Sequence, residues 1–525
     1  MSERDRRALP PWLPTAGIAA ALAALVAWSF WQRWSALTAS PFPLGIDGYF
    51  YPVQLRSLLD HGTLEFPASP LAFWLLAPFA AATDPIIGAK LGSAALCALI
   101  ALPAYAVGAH LGRDGDDDGR GPGLIAATLS TTSAGSLYLT VEFVKNGIGL
   151  TIALTALWLV LRALAIPTCA RIAAAIGGIA AAVLTHKMAA ALVVGIAIPA
   201  ALAEAHVRAR AATAEVRARR RLWILGALAL VGGTLLAIGL LSPRRFVSPA
   251  DLALLDGLFT SDADWTLPVL DNQLRLGWEP LIGLVLAAVA AAALIVDRGS
   301  ARTDGSTGRA VVGWSVVALA IFIGLPWLDT TSTLGLAMRI RVIAFVPLAL
   351  CAAIVLRVGL RYAMPLFRGP RKPTRLAVCA TIAVGIVALH AGDRRTEGQI
   401  LAHPALVAGA LALNGRLPDG AVAIVPERHI AFMIAWYARV PVSTRPDGIP
   451  EQRRWRVLPG NYIKRGDSLE TALIQIRART DLPRVIGLHP GHPSGMVAIP
   501  EPTWHALQEL LSDEDRALFA IWPTL

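Results

Sequence analysis

A single carboxylate, Asp47, stands out in the first long polar stretch of the chain, residues 41–56, which follows a long apolar run. An ionisable side chain beside an apolar body at a membrane surface is a candidate functional site. A carboxylate placed there could act as a general base and take the proton of a hydroxyl group. The alternative is a helix N-cap, since a helical pattern begins directly after Asp47. Tyr49 and Tyr51 are candidates either for sugar binding or for anchoring at the membrane interface.

Two short polar breaks between apolar stretches carry basic side chains. Glu142 and Lys145 lie three residues apart in one break, where they could pair with each other or line a polar cavity. His186 and Lys187 interrupt a nearly continuous apolar stretch. A lysine in that position is costly unless it snorkels to the surface or binds an anion. The ammonium group of Lys187 is a suitable point charge for a lipid phosphate.

Arg339 and Arg341 open a later apolar stretch. The guanidinium fork suits a phosphate or diphosphate group, and the alternative is snorkelling to lipid headgroups. His489 and His492 have metal-like spacing without a third ligand nearby, and the four cysteines have neither metal-type spacing nor the pattern of a disulfide framework. We therefore expect no metal ion and no other cofactor, although a divalent metal is compatible with the sequence.

The composition indicates a membrane protein. Of the 525 residues, 55% are hydrophobic and 16% are charged, and many apolar runs approach the roughly 20 residues needed to cross a bilayer. A soluble protein of this length cannot bury so much apolar surface. The net charge of +11 comes from basic residues that cluster between the apolar runs. That distribution indicates membrane topology rather than nucleic-acid binding.

We predict a polytopic α-helical membrane protein with about 11 transmembrane helices. The apolar segment 70–83 is too short to cross, and we expect it to lie at the interface with Trp74 as its anchor. The predicted spans are 15–37, 85–111, 122–140, 147–165, 171–185, 187–203, 222–241, 279–296, 310–328, 340–357 and 376–392.

The basic residues orient this bundle. The predicted inner loops 204–221 and 358–375 hold clusters of arginine and lysine, whereas the outer connections hold few. By the positive-inside rule the N-terminus is cytoplasmic, in a cytoplasmic (inner) membrane. The first outer loop, 38–84, and the other candidate site residues then share the extracytoplasmic face with Asp47.

The composition changes near residue 392. Short apolar runs that predict strands then alternate with helical patterns, as in a small α/β domain. The predicted strands are 422–425, 485–488 and 496–499, and the predicted helices are 429–438, 469–479 and 503–511. We therefore expect a transmembrane domain, 1–392, followed by a C-terminal extracytoplasmic α/β domain, 393–525.

The first outer loop resembles that of the GT-C class of integral-membrane glycosyltransferases. The closest resemblance is to the branch with the protein O-mannosyltransferases and the lipid A aminoarabinose transferase. That branch has Asp-Glu followed by a Tyr where this chain has Asp47, Gly48 and Tyr49. Its interfacial helix begins Glu-Lys-Pro-Pro-Leu, to which residues 65–71 are a looser match that lacks the lysine.

Three later motifs carry the same resemblance. Residues 184–187 are similar to a Leu-Thr-Lys-Gly element that contributes to donor-phosphate binding, with one inserted histidine. Arg339 heads a late span, as an arginine does in that class. Residues 435–437, Ala-Trp-Tyr, follow an apolar strand in a tail similar to those of the class.

The resemblance implies a GT-C-like fold and a hexosyl or pentosyl transferase with an inverting displacement. The implied donor is a polyprenyl-phosphate-linked sugar, the acceptor is a hydroxyl of a glycan, lipid or protein, and membrane lipids surround the bundle. Asp47 is the expected base. The expected donor-phosphate ligands are Lys187, His186, Arg339, Arg341 and Lys145. The expected acceptor or sugar ligands are Tyr49, Tyr51, Glu65 and Glu142.

Two other functions stay open at this point. A lipid-linked sugar flippase or transporter should tolerate the loss of Asp47 and should need charges along a continuous path. A non-catalytic membrane scaffold should depend on residues 393–525 and be indifferent to Asp47→Asn.

Overall fold

The computed structural model describes residues 16–113, 118–210, 258–259, 278–297, 307–329, 336–363, 371–391, 404–425, 427–460, 468–486 and 495–520. The helices before residue 211 are α1 (Ala16–Leu37), α2 (Phe50–His61), α3 (Leu71–Ala82), α4 (Pro85–Ala98), α5 (Ala101–Gly112), α6 (Arg120–Thr132), α7 (Ala134–Glu142), α8 (Val144–Ala165), α9 (Cys169–Thr185) and α10 (Lys187–Arg210). The later helices are α11 (Trp278–Asp297), α12 (Thr307–Gly324), α13 (Leu336–Val342), α14 (Phe345–Ala363), α15 (Arg371–Ala391), α16 (Pro404–Ala412), α17 (Arg428–Tyr437), α18 (Leu469–Ala478), α19 (Glu501–Leu510) and α20 (Asp513–Ala520).

Helices occupy every predicted span that the structure describes, but three of these spans are broken. The span predicted at 85–111 is α4 followed by α5, and the span predicted at 340–357 is α13 followed by α14. In both, a proline stands third in the second helix, and its missing N–H interrupts the hydrogen-bond ladder. The span predicted at 122–140 is α6 and α7, which are bent by 46° at Ser133.

Five helical segments of the described chain, or six if the bent pair α6–α7 is one span, are long and apolar enough to cross a membrane. These five are Pro85–Gly112, Val144–Ala165, Lys187–Glu204, Glu279–Asp297 and Leu336–Ala363. The count of 11 therefore stays a prediction. The short segment predicted at 70–83 is the 12-residue helix α3, on which Trp74 is exposed.

Several predicted features lie outside the described residues. These are the span 222–241, residues 211–221 and 364–370 of the two basic loops, the domain boundary at 392–393, and the pair His489 and His492.

The chain divides into two compact units. The first is drawn from Met1–Ala36, Phe66–Leu75 and Leu91–Glu397, and the second from Leu37–Glu65, Leu76–Lys90 and Gly398–Leu525. The residues around Asp47 thus belong to the same unit as the C-terminal α/β elements.

The first unit is a helical bundle with one large apolar cluster. Residues from α5 and from α7 to α14 contribute to it. Fully buried alanines recur at the helix contacts, among them Ala153, Ala156, Ala182, Ala287 and Ala290. Small side chains allow helix backbones to approach closely, which is the usual basis of packing between membrane helices.

The second unit contains a four-stranded sheet in the order β2-β1-β3-β4. Its strands are β1 (Val422–Ile424), β2 (Val442–Ser443), β3 (Arg454–Pro459) and β4 (Met496–Pro500). β1 pairs in parallel with β2 and β3, whereas β3 pairs antiparallel with β4. Helix α17 connects β1 to β2, so the sheet positions α17 directly after its central strand.

The α/β prediction for the C-terminal segment is confirmed in its elements. The strands predicted at 422–425 and 496–499 are β1 and β4, and the three predicted helices are α17, α18 and α19. Of the strand predicted at 485–488, only residues 485–486 are described, and Ile486 forms a bridge with Ala498. The rest of this prediction lies outside the described residues.

Candidate active site

Asp47 lies in a tight turn directly before α2. The N–H of Gly48 donates to the carbonyl of Gly45 over 3.0 Å, and the N–H of Phe50 donates to the carbonyl of Asp47 over 3.0 Å. The N-cap residue of α2 is Tyr49, and it has no side-chain cap. The N-cap interpretation of Asp47 is therefore wrong, because the turn engages its backbone carbonyl and leaves its carboxylate directed elsewhere.

Position 48 has no room for a side chain. A Cβ there would lie 2.6 Å from the carbonyl oxygen of Leu44 and 3.0 Å from that of Gly45. Contacts this short with backbone atoms are not relieved by rotating a side chain. Gly48, which stands where the resembling branch has a second acid, is thus required by the turn that presents Asp47.

The carboxylate of Asp47 faces an arginine from far along the chain. Its Oδ1 lies 3.8 Å from Nε of Arg428, and the two side chains are 14% and 56% exposed. The guanidinium of Arg428 also lies over two aromatic rings, 5.7 Å from the centroid of Phe50 and 5.3 Å from that of Phe432. Cation–π contacts of this kind hold the arginine next to the carboxylate.

Three predicted sugar or acceptor ligands, Tyr49, Tyr51 and Glu65, lie in the same unit as Asp47, and their environments differ. The hydroxyls of Tyr49 and Tyr437 are 3.0 Å apart, and burial together with this hydrogen bond raises the pKa of Tyr49 well above its usual range. Tyr51 is buried with its ring against Phe50. Glu65 is exposed. Their roles in sugar or acceptor binding stay predictions.

Three predicted cations of the first unit act electrostatically on His186. Burial, followed by the charges of Lys145, Arg339 and Lys187, lowers the pKa of His186 to about 3. His186 lies in the connection between α9 and α10, and its Nδ1 accepts a hydrogen bond of 3.2 Å from the N–H of Met188. The neutral imidazole therefore carries its proton on Nε2 and can donate from that atom.

The start of α8 brings Lys145 to this place. A Cβ on Gly149 would lie 3.2 Å from Cβ of His186, so the first turns of α8 pack closely on the α9–α10 connection. Nζ of Lys145 lies 5.9 Å from the ring centroid of Phe73. Lys187 begins α10 with an exposed side chain. The sequence expectation that Lys145, His186 and Lys187 share one region is consistent with this packing.

The two arginines of α13 differ in their contacts. The guanidinium carbon of Arg339 lies 4.8 Å from the ring centroid of Phe143, which separates α7 from α8. Arg341 is buried and donates over 3.1 Å to the carbonyl of Leu325, directly after α12. That contact caps the end of α12 and gives Arg341 a structural role, so its part in donor binding stays a prediction. Glu142, the last residue of α7, is 4% exposed.

A carboxylate that the sequence did not single out fixes the bend before α7. Oε1 of Glu279 accepts hydrogen bonds of 2.7 Å from the hydroxyl of Ser133 and from the N–H of Ala134. Its Oε2 accepts one of 3.2 Å from the N–H of Gly135. A carboxylate at a helix N-terminus accepts hydrogen bonds from the free N–H groups and interacts favourably with the positive end of the helix dipole. Glu279 thus holds the helix that leads to Glu142 and the start of α8.

Three further residues were missed by sequence reasoning. Arg428 and Arg56 contact partners about 380 positions away, which no local pattern can reveal. Lys90 is buried and donates from Nζ to the carbonyl of Ser40 over 2.7 Å. The signal for Lys90 was a lysine inside an apolar span, which is costly unless it finds a partner.

No group of three or more His, Cys, Asp or Glu side chains that could hold a metal ion occurs among the described residues. All four cysteines are free. The expectation of a metal-free reaction stays a prediction.

No protein-family model matches this sequence, and no curated protein is similar to it in sequence. Solved structures do match. The apo oligosaccharyltransferase of Archaeoglobus fulgidus aligns with a TM-score of 0.55 at 13% identity, over 89% of this chain and 72% of that one. The oligosaccharyltransferase AglB from the same organism, solved with an inhibitory peptide and a dolichol-phosphate, aligns with a TM-score of 0.51 at 14% identity, over 81% of this chain and 64% of that one.

A bacterial structure matches over nearly its whole length. ArnT from Cupriavidus metallidurans, bound to undecaprenyl phosphate, aligns with a TM-score of 0.53 at 12% identity, over 92% of this chain and 98% of that one. This chain spans less than two thirds of the peptide-bound AglB but almost all of ArnT. Both are GT-C glycosyltransferases. The resemblance to this class is therefore confirmed at the level of structure, and the chain has the fold of the GT-C integral-membrane glycosyltransferases.

Proposed function

We propose that this chain is an integral-membrane glycosyltransferase that moves a hexosyl or pentosyl group from a polyprenyl-phosphate-linked donor to an acceptor hydroxyl. The fold supports the general kind, since structures that share it were solved with dolichol-phosphate and with undecaprenyl phosphate. The observation that carries the proposal is the positive charge that Lys145, Lys187 and Arg339 exert at His186, where the first turns of α8 pack on the connection between α9 and α10. Several basic side chains close together beside an apolar bundle form a suitable environment for an anionic ligand.

The cationic group suits the leaving phosphate. As the bond between the sugar and the phosphate oxygen breaks, negative charge grows on that oxygen, and fixed cations nearby stabilise it. Arg339 offers a planar fork of donors, and Lys145 and Lys187 are point charges. The neutral His186 adds an N–H donor from Nε2 without adding a further like charge to the group.

Asp47 is the proposed base. The acceptor hydroxyl attacks the anomeric carbon on the face opposite the phosphate, Asp47 takes the hydroxyl proton, and polyprenyl phosphate leaves with the bonding electrons. The configuration at the anomeric carbon inverts. The acceptor is a glycan, lipid or protein, and the reaction needs no nucleotide.

The positive-inside pattern supports the orientation. We propose that the protein lies in the cytoplasmic (inner) membrane with its N-terminus in the cytoplasm. Asp47 and the α/β domain at residues 393–525 then lie on the extracytoplasmic side. The transmembrane domain is proposed to comprise residues 1–392.

The test measures sugar transfer by the purified full-length protein from a panel of synthetic polyprenyl-phosphate sugars. The release of polyprenyl phosphate is the readout. Lys187→Ala should raise the KM for the donor about tenfold, as expected for one lost charge-assisted contact at an exposed position. Arg416→Ala, which removes an exposed cation from the second unit, is the matched control and should leave the KM unchanged.

Two outcomes would overturn the proposal. If no donor on the panel is consumed while lipid-linked sugar still crosses the bilayer of liposomes that contain the protein, a flippase accounts for the chain. If neither transfer nor crossing occurs and Asp47→Asn leaves the cellular phenotype intact while removal of 393–525 abolishes it, the chain is a scaffold.

A further inference from the structure

Helix α17 lies along the segment that carries Asp47, within the second unit. The first residue of α17, Arg428, pairs with Asp47, and the middle of the helix packs through Phe432 onto Phe50, with ring centroids 4.9 Å apart. The contacts of residues 47–56 are thus distributed along α17 from its first residue to its last. A helix of ten residues extends about 15 Å, which suffices to span this segment.

The far end of α17 is held by Arg56. Its NH2 and NH1 atoms donate to the carbonyls of Ala435 and Trp436 over 2.8 and 2.9 Å. Its guanidinium carbon also lies 4.7 Å from the ring centroid of Trp436. The last carbonyls of a helix lack intrahelical donors and carry partial negative charge, so a guanidinium is the matching group.

A third tie joins Tyr49 and Tyr437, whose hydroxyls are 3.0 Å apart and whose rings meet edge to face at 5.5 Å between centroids. Both Phe50 and Tyr49 are buried. These contacts are close to Asp47 in sequence, because Tyr49 and Phe50 follow it by two and three residues. The position of Asp47 therefore depends on a helix about 380 residues away in sequence.

We propose that α17 is the element that positions Asp47, with Arg56 and Arg428 as positioning residues at its two ends. The catalytic part of this inference rests on the proposed function, in which Asp47 is the base. The C-terminal segment then acts on the proton-transfer step through the orientation of the carboxylate, and not through the donor phosphate.

Hydrogen–deuterium exchange of the full-length protein in detergent tests the positioning without any substrate. Arg56→Ala should accelerate exchange of the α2 amides, residues 53–61, by about 10- to 100-fold, since it removes two charge-assisted hydrogen bonds. Arg56→Lys should retain part of the protection because an ammonium can still reach a carbonyl. Arg477→Ala, an exposed arginine on α18, is the control and should exchange like wild type. Equal exchange in Arg56→Ala and wild type would overturn the inference.

Kinetics test the consequence for catalysis. Arg428→Ala should lower kcat by about tenfold with the donor KM unchanged, and Arg428→Lys should recover most of the rate, since a displacement of about 1 Å can cost up to 100-fold. A raised donor KM with an unchanged kcat would show that Arg428 binds the donor itself and would refute the positioning role. If wild-type protein transfers no sugar, the proposed function fails, and the exchange result still decides whether α17 holds the segment around Asp47.

Discussion

Replacing Gly48 by alanine tests whether the turn before α2 sets the position of Asp47. The new Cβ would lie 2.6 Å from the carbonyl oxygen of Leu44, whereas ordinary contact begins near 3.4 Å. The turn must therefore open by about 0.8 Å, the difference between these two distances. The atoms that obstruct the Cβ belong to the backbone, so the turn itself has to move, and Asp47 moves with it.

The expected result follows from the sensitivity of catalysis to geometry. A displacement of about 1 Å can cost about 100-fold in rate, so Gly48→Ala should lower kcat between about 10- and 100-fold. The donor KM should stay unchanged, since Gly48 is not among the proposed donor-phosphate ligands. Steady-state release of polyprenyl phosphate measures both constants. Gly48→Glu, which recreates the two-acid pattern of the resembling branch, should lower kcat at least as much as alanine does.

Gly195→Ala is the matched control, because a Cβ at position 195 meets no atom within 4 Å. A kcat for Gly48→Ala within twofold of wild type would refute the reasoning. Activity gained in Gly48→Glu would refute it more strongly, because it would mean that a second acid fits the turn.

Three other predictions concern particular side chains. Glu279→Ala should destabilise the start of α7 by about 2 kcal/mol, since it removes the charged acceptor of two N–H groups in the first turn. Exchange of the α7 amides measures the effect against Glu279→Gln, which keeps one acceptor oxygen. In the folded protein the pKa of His186 is lowered to about 3, whereas in the unfolded chain it is about 6.5. Between these two values the unfolded chain binds the proton and the folded protein does not, so the stability of the fold decreases as the pH drops below about 6.5. At pH 5 the acid-induced loss in the free energy of unfolding should therefore be about 2 kcal/mol smaller in His186→Asn than in wild type. An unchanged slope of this free energy against pH would contradict the prediction. Arg456→Met should destabilise the sheet by about 3 kcal/mol in thermal unfolding, the lower end for a broken buried ion pair, because Glu501, 1% exposed, loses its partner at 2.7 Å and keeps only the longer contact of 3.9 Å to Arg454 and one of 4.0 Å to His505. Arg479→Met removes an exposed partner of Asp481 and should leave the melting temperature unchanged.

The helical bundle was the most predictable part of the fold. Long apolar runs give both the existence and the approximate bounds of the helices, since the bilayer demands about 20 apolar residues for each span. The breaks were less visible. Pro103 and Pro347 mark two of them, but the bend at Ser133 depends on Glu279, which lies 146 residues further along.

The C-terminal strands show the same limit. β1 and β4 are apolar throughout and were predicted, whereas β3 begins Arg-Trp-Arg and was missed. Arg456 is tolerated in a buried strand because Glu501 accepts two hydrogen bonds from its guanidinium. A charge that is neutralised by a distant partner looks like a surface residue in the sequence alone.

The residue types of the candidate site stand out in the sequence, whereas their contacts do not. The residue types at Asp47, Lys187 and Arg339 were informative because ionisable groups are costly near lipid. The contact between Asp47 and Arg428 joins residues 381 positions apart in sequence, and a single sequence without a local pattern carries no signal for it.

The most direct test of the central claim is the single-turnover rate of sugar transfer at saturating donor, wild type against Asp47→Asn, with Asp419→Asn as an exposed control. If Asp47 is the general base, Asp47→Asn should slow transfer by at least about 100-fold while donor affinity stays that of wild type. Equal single-turnover rates in wild type and Asp47→Asn would contradict the account, since the acceptor proton would then be taken by another group.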